Sequence, residues 1–333
     1  LEQGQRGVDF AQAQLEGAEQ DLLIRVSQAY FDVLAAQDTL TFVRAQKAAV
    51  AEQLAAAKRN FQVGTTTVTD EREAKARHDL VTAQEIAADN DLRVKRLALD
   101  QVVGRSGTAP LPLAQPVQLP AVQPDDVSNW VRTAEERQPQ VRQALQALDV
   151  AKLETAKAQT GHLPTVDLQA GYNIQRTPNG TVLMPGINTR TNTASIGVAL
   201  NLPLFAGFAV QNRVKETLSL EEKARADLEN ARRTVAQAAR AAFFGVQSGL
   251  SQVAALQAAE ASSQSALDAN KLGYQVGVRI NIDVLNAQSQ LYQTKRDLAA
   301  ARYNVVVGTL RLKQVAGTLT ADDVTAVDAL LMR

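Results

Sequence analysis

The sequence predicts a mainly α protein built on two long helical hairpins, with a pair of β-strands between them. Three observations carry this prediction. All ten prolines fall between Pro110 and Pro203, so the segments 1–109 and 204–333 contain none. An interior proline costs a helix about 3 kcal/mol, and the partition therefore separates two helical arms from an irregular middle. Val284, Leu291, Leu298, Val305 and Leu312 stand seven apart, the spacing of a coiled-coil seam. Finally, one arm repeats the other at an offset of 213 residues. Phe61-Gln-Val-Gly64 returns as Tyr274-Gln-Val-Gly277, Asp70 as Asp283, and Gln101-Val102-Val103-Gly104 as Gln314-Val315-Ala316-Gly317.

The first arm opens inside a helical pattern at Leu1, without an initiator Met, and reads as a processed or trimmed start. Gly64 is followed by Thr-Thr-Thr-Val-Thr-Asp70. A glycine just past a helix and Thr69 or Asp70 opening the next are stop and start signals, so the arm folds back at a short tip. Gly104 ends the return helix. Six prolines lie between Pro110 and Pro139, which predicts an irregular stretch, with Trp130 anchoring a short helix in it.

A helix ending near Gln159 leads to two runs of alternating character. Val166, Leu168, Ala170, Tyr172 and Ile174 alternate with polar or small residues, as do Ile196, Val198, Leu200, Leu202 and Leu204. Each run is about the 9–11 residues that cross a bilayer as a tilted strand. The pair could equally pack on a helical layer, because a lone two-stranded hairpin is marginal in water.

The second arm runs from about Phe208 without a proline to Gln275, roughly 100 Å of helix. That is long for the helices of an ordinary bundle, the alternative to coiled-coil packing. The companion positions of its return seam are Ala287, Thr294, Ala301, Gly308 and Val315, mostly small. A small partner position lets a neighbouring helix approach closely. Its tip carries Gly277, and Asp283 by spacing alone is a helix N-cap.

Composition narrows the function classes. Lys plus Arg (35) equals Asp plus Glu (35), so no basic excess suggests nucleic acid. There is no cysteine, hence no disulfide or thiolate chemistry. No run approaches the roughly 20 apolar residues of a membrane helix. The two histidines, His78 and His162, have no ligand-spaced partners, and no nucleophile or phosphate-loop motif is present. The expectation is a protein with no catalytic residues, metal or cofactor.

The order of these pieces resembles the TolC family of bacterial outer-membrane efflux and secretion channels. The residues that carry it are Gly161-His-Leu-Pro-Thr-Val-Asp-Leu168, Leu200-Asn-Leu-Pro-Leu-Phe-Ala-Gly207, Gly273-Tyr-Gln-Val-Gly-Val-Arg279 and Asp297-Leu-Ala-Ala-Ala-Arg-Tyr-Asn304, with Ala29-Tyr-Phe-Asp-Val-Leu34 in the first arm. The resemblance implies a trimeric α/β-barrel tunnel, with each protomer divided as follows. Residues 1–104 are the first helical hairpin (tip 62–70), 105–140 a Pro-rich equatorial belt and 141–160 a helix. Residues 164–205 are the membrane β-hairpin, 206–317 the second helical hairpin (tip 276–283) and 318–333 a C-terminal equatorial tail. Family members carry a further strand pair upstream, so the resemblance also implies a truncated start.

Its functional implications are a homotrimer in the bacterial outer membrane extending into the periplasm. Its partners would be a periplasmic adaptor, an inner-membrane pump of the RND or ABC type and outer-membrane lipid. The tips would form an entrance closed at rest and opened when the partners dock. Asp283 matches a position lining the constriction, where three copies would form a ring of carboxylates attractive to cations. The family's second carboxylate is Asn286 here, which implies weaker selectivity. Thr69, Asp70, Tyr274, Arg279 and Arg302 match positions of a gate network, and Gly64 and Gly277 the tip turns. Two other readings stand beside the channel: a periplasmic adaptor, which has a single hairpin, and a soluble coiled-coil scaffold, which leaves the strands unexplained.

Overall fold

In the computed structural model, which describes residues 2–114, 117, 119, 121–178, 180–181 and 184–331, long helices dominate. Leu1, four residues of the Pro-rich stretch (Pro116 and Pro120 among them), three of the strand loop, and Met332 and Arg333 lie outside the described residues. In chain order the elements are α1 (Glu2–Gln62), α2 (Val68–Val103), α3 (Val127–Arg137), α4 (Pro139–Gln159), β1 (Thr165–Thr177), β2 (Gly180–Thr181), β3 (Met184–Pro185), β4 (Thr189–Asn201), α5 (Ala209–Gln275), α6 (Asn281–Val315) and α7 (Ala321–Asp328). No described helix is long and apolar enough to cross a membrane. The chain divides into two units, the residues up to Phe10 with Ala144–Glu229, and Ala11–Gln143 with Asn230–Arg333.

The smaller unit is built around an antiparallel ribbon, β1 on β4, whose register runs from Thr165 opposite Asn201 to Thr177 opposite Thr189. That register puts Val166, Leu168 and Ala170 across from Leu200, Val198 and Ile196, so the apolar residues of both strands share one face. The other face is small or polar, with Asp167 opposite Ala199 and Gln169 opposite Gly197. Neither face is covered: Leu168 is 72% and Ile196 80% exposed. The ribbon therefore does not pack on a helical layer, one of the two expectations for it. At its base Gly207 and Phe208 both take positive φ (58° and 64°), turning the chain into α5, and the Phe205 and Phe208 rings meet edge to face at 5.8 Å. Glu154 of α4 accepts hydrogen bonds from Arg213 (3.0 Å) and Gln3 (3.2 Å). The Arg213 contact, then that of Gln3, holds its carboxyl below the usual glutamate range.

In the larger unit the seven-residue seam is a packing line. Val284, Leu291, Leu298, Val305 and Leu312 are all buried. Phe243, Val246 and Val253 of α5 close over Leu298, Ala301, Val305 and Leu312 of α6, with Trp130 of α3 at the end of the cluster. The helices approach where one of them carries glycine. A Cβ on Gly308 would stand 3.3 Å from Val246 Cγ2, and one on Gly249 would stand 2.9 Å from Val305 Cγ2. The first arm repeats the logic: Val43, Val50 and Ala57 of α1, again seven apart, pack with Ala74 and Val81 of α2 and Leu285 of α6.

The irregular segments dock on these helices. Leu113 pairs with Leu331 in an antiparallel bridge, and the Ala114 N–H donates to the Leu330 carbonyl (2.9 Å). Tyr30 of α1 uses its hydroxyl twice on Leu111, accepting from the N–H (2.7 Å) and donating to the carbonyl (3.0 Å). Trp130 Nε1–H donates to the Pro124 carbonyl (2.8 Å). α7 begins with a capping box in which the Thr320 N–H and hydroxyl donate to Asp323. Lys313 donates to the same carboxylate (2.6 Å). Burial pushes the Asp323 carboxyl up, but Lys313 and Thr320 outweigh it and leave it below the usual aspartate range.

Two predictions follow from these contacts. Gly317 takes φ +69°, and a Cβ there would stand 2.6 Å from the Arg137 carbonyl. Gly317→Ala is expected to cost about 3 kcal/mol in chemical denaturation, whereas Gly64→Ala, with positive φ but open space, costs about 1 kcal/mol. Because the Asp323 carboxyl is lowered on folding, its contribution is present above the unfolded-state value and lost as pH falls through the folded-state one. Hydrogen-exchange protection of residues 318–331 is expected to fall on acidification below about pH 4, and in Asp323→Asn to be low at neutral pH already.

Candidate functional site at the helix tips

Each tip is a turn closed by its own backbone. At the first, Thr65 N–H donates to the Asn60 carbonyl (2.9 Å) and Gly64 N–H to Phe61 (3.0 Å). At the second, Val278 N–H donates to the Gly273 carbonyl (2.9 Å) and Gly277 N–H to Tyr274 (3.2 Å). Both are Schellman motifs, which need a residue in the left-handed region. Gly64 (φ 78°) and Gly277 (φ 81°) supply it.

The aspartates that follow stand three residues further into the helix than the N-cap that spacing suggested. Thr67 is the N-cap of α2, and Asp70, its third helical residue, returns the hydrogen bond as a capping box. Thr69 is an exposed residue of the same turn. The N-cap of α6 is Ile280, which offers no side-chain cap, so Asp283 is likewise third rather than the cap. A carboxylate in the first turn still faces the positive end of the helix dipole. Asp283 pairs with Arg279 at 3.6 Å, a contact within the second tip. Both partners are partly exposed, so the pair is worth at most about 1 kcal/mol.

Four hydrogen bonds join the first helix pair, α1–α2, to the second, α5–α6, near the tips. Asn60 Nδ2 donates to the Tyr274 hydroxyl (3.3 Å), and Arg77 Nη2 to Asn286 Oδ1 (2.9 Å). Asn281 is buried, donates to the Asp70 backbone carbonyl (3.4 Å), and accepts from Gln53 Nε2. Of the expected gate residues Tyr274 and, by its backbone, Asp70 thus take part in ties between the pairs, as does Asn286, expected at the constriction. Arg279 and Asp283 tie the second tip to itself.

Arg302 lies elsewhere. It is 19 residues beyond Asp283, roughly 28 Å along α6. Its charge acts on Asp38 of α1 and on Tyr303, and its Nε is buried without a hydrogen-bond partner among the described residues. The Tyr303 hydroxyl donates to Asp38 Oδ2 (2.6 Å). Burial pushes both groups up; the hydrogen bond raises the phenol further and offsets part of the shift on the carboxyl.

Gln53, Asn60, Arg77 and Asn281 escaped the sequence reading. The signal for two of them was present. Gln46, Gln53 and Asn60 are seven apart, three residues on from Val43, Val50 and Ala57. Each amide meets the second pair: Gln46 accepts from Arg296 (3.2 Å), Gln53 donates to Asn281 and Asn60 to Tyr274. A polar stripe beside an apolar one reads as a solvated face unless its partners are known. Among the described residues no group of three or more His, Asp or Glu side chains could hold a metal. The site ties the two helix pairs together through polar side chains and one backbone carbonyl.

Comparison with known proteins adds descent to this geometry. The sequence profile of the outer membrane efflux protein family matches residues 1–105 and 130–318. Outer membrane protein TolC of Vibrio cholerae is 34% identical over 330 residues, 99% of this chain and 75% of that protein. TolC of Escherichia coli is 34% identical over 321 residues, 95% of this chain and 65% of that protein. The alkaline protease secretion protein AprF of Pseudomonas aeruginosa is 30% identical, covering 93% and 64%. The chain thus spans 64–75% of the length of these curated relatives. Among solved structures, the Campylobacter jejuni outer membrane channel CmeC superposes with a TM-score of 0.76 at 16% identity, covering 98% of this chain and 70% of that one. The open state of Neisseria gonorrhoeae MtrE superposes with 0.76 at 19% identity, covering 96% and 71%. At these identities the two structures share the fold.

Proposed function

The chain belongs to the outer membrane efflux protein family, and from that premise we propose that it is a passive exit duct for drugs or secreted proteins. It is a protein of the bacterial outer membrane that extends into the periplasm, in a family of channels rather than enzymes. The observation that carries the duct reading is the β1–β4 ribbon. Its strands are 13 residues each, roughly 43 Å of chain, which at a tilt of about 45° matches a hydrocarbon core of about 30 Å. One face is apolar, the other polar and small, and both are exposed. An open sheet edge is not tolerated in lipid, so the ribbon needs strands from other copies or other segments to close a barrel.

In this reading three copies assemble, the ribbons enter the barrel, and the helical hairpins continue it as a tunnel. The Pro-rich stretch and the tail, which pair with each other on the helices, form a belt. Transport energy comes from a periplasmic adaptor and an inner-membrane pump of the RND or ABC type. The tips form a gate, with Asp283 and Asn286 at the constriction and Asp70, Thr69, Tyr274, Arg279 and Arg302 in the network that keeps it shut. Arg302 contributes at a distance, through Asp38 and Tyr303. The adaptor alternative is not favoured, because the family match runs through both hairpins and the strands.

The charge arrangement refines what the constriction does. Each Asp283 has Arg279 at 3.6 Å, so a ring of three carboxylates is partly neutralised, and Asn286 adds no charge. Cation preference is therefore modest.

Single-channel recording of the protein in planar bilayers tests the duct directly; absence of pore activity, with the tip bonds also removed, rules it out. Asp283→Ala is expected to lower cation selectivity and Asn286→Asp to raise it, read as opposite shifts of reversal potential in a salt gradient. Combining Tyr274→Phe with Arg302→Ala is expected to increase conductance, since each change removes one support of the closed state.

A further inference from the structure

We propose that Asn281 is the pin that holds the second helix pair to the first at the tips, and that the latch it centres contains no ion pair. The inference rests on the gate reading and names the residue on which the closed state depends.

Asn281 is the first residue of α6 and is 1% exposed. Its neighbours leave its amide one orientation. The Asp70 backbone carbonyl can only accept, so Nδ2 must face it, and Oδ1 is left to accept from Gln53 Nε2. One side chain of α6 thereby grips α1 through a side chain and α2 through its backbone. The Asp70 carboxylate is not involved: it is turned back to Thr67.

The remaining ties between the pairs at the tips follow the same rule. Asn60 meets a phenol hydroxyl, Arg77 meets an amide oxygen, and Arg296 meets the Gln46 amide further along. No carboxylate takes part in any of these three ties, so none of them is an ion pair. The tip's ion pair, Arg279–Asp283, stays within the second pair and can stay intact when the pairs part. Rim charges feel salt, because exposed pairs are screened within about 8 Å at physiological ionic strength. A buried amide pin does not. Separating the pairs leaves the Asp70 carbonyl and Gln53 amide to be rehydrated, so the closed state is held by buried polar groups that are satisfied there.

Two variants separate this pin from a merely structural residue. Asn281→Leu removes both bonds while suiting a buried position. Asn281→Asp keeps the size and the acceptor for Gln53 but sets a carboxylate against the Asp70 carbonyl. In planar bilayers both are expected to raise open probability on the order of tenfold, Asn281→Leu without lowering Tm. Amide hydrogen exchange across residues 274–285 is expected to quicken in both. Open probability of the unmodified protein is expected to stay within about twofold between low and high salt.

The proposal is overturned if Asn281→Leu leaves both open probability and tip exchange unchanged, or changes them only in step with a fall in Tm. It is also overturned if Arg279→Ala opens the channel as far as Asn281→Leu does, which would make the ion pair the latch. If no variant conducts, the duct reading fails, and the exchange measurement decides the pin alone.

Discussion

Much of the larger unit depends on how closely α5 and α6 can approach. The seam between them is one side chain thick, so each large residue on one helix needs a small one opposite. Val305 lies over Gly249 and Val246 over Gly308. Such a seam repeats every seven residues, which in a helix of 3.6 residues per turn makes the partners wind left-handedly about each other. Among the described residues the buried apolar side chains form several small clusters along the helices, so stability is spread along their length. The irregular segments extend this narrow core sideways, adding Trp130 to one cluster and Leu113 and Leu331 to another.

The same thinness explains where polar residues are buried. A seam one residue wide leaves its flanks half covered, and the amides of Gln46, Gln53 and Asn60 occupy such a flank on α1. A buried amide is tolerable when both of its ends are used. Asn281 meets that condition, while Gln288, on the same helix, has its Oε1 without a partner among the described residues.

Regular spacing made most of the fold readable in the sequence. Heptads, the distribution of prolines and strand alternation are local patterns, and each found its element. The tip glycines were readable because the Schellman turn needs a left-handed residue whatever surrounds it. The aspartates were placed on the right turn but at the wrong position, because Thr67 and Ile280 offered weaker signals than a carboxylate. What spacing could not supply was partnership. Gln53 and Asn281 are separated by 228 residues, and nothing local in either marks it as a member of a pair. Arg302 shows the converse: a residue assigned to the tips by likeness lies well up the helix beside Asp38. The strand pair was legible as strands, but its exposure on both faces emerged only in three dimensions.

The tip turns are held by their own carbonyls and N–H groups, with each glycine facing open space. Maintaining the fold therefore asks very little of the side chains there. Val63, Val276 and Val278 stand largely exposed, and replacing them would disturb neither the turn nor the seam. The two arms share the turn sequence, Phe61-Gln-Val-Gly64 and Tyr274-Gln-Val-Gly277, and differ in the residues that follow it, Thr65-Thr-Thr-Val-Thr69 against Val278-Arg-Ile-Asn-Ile282. A turn that closes on its own backbone leaves those following residues to be set by whichever helices they meet.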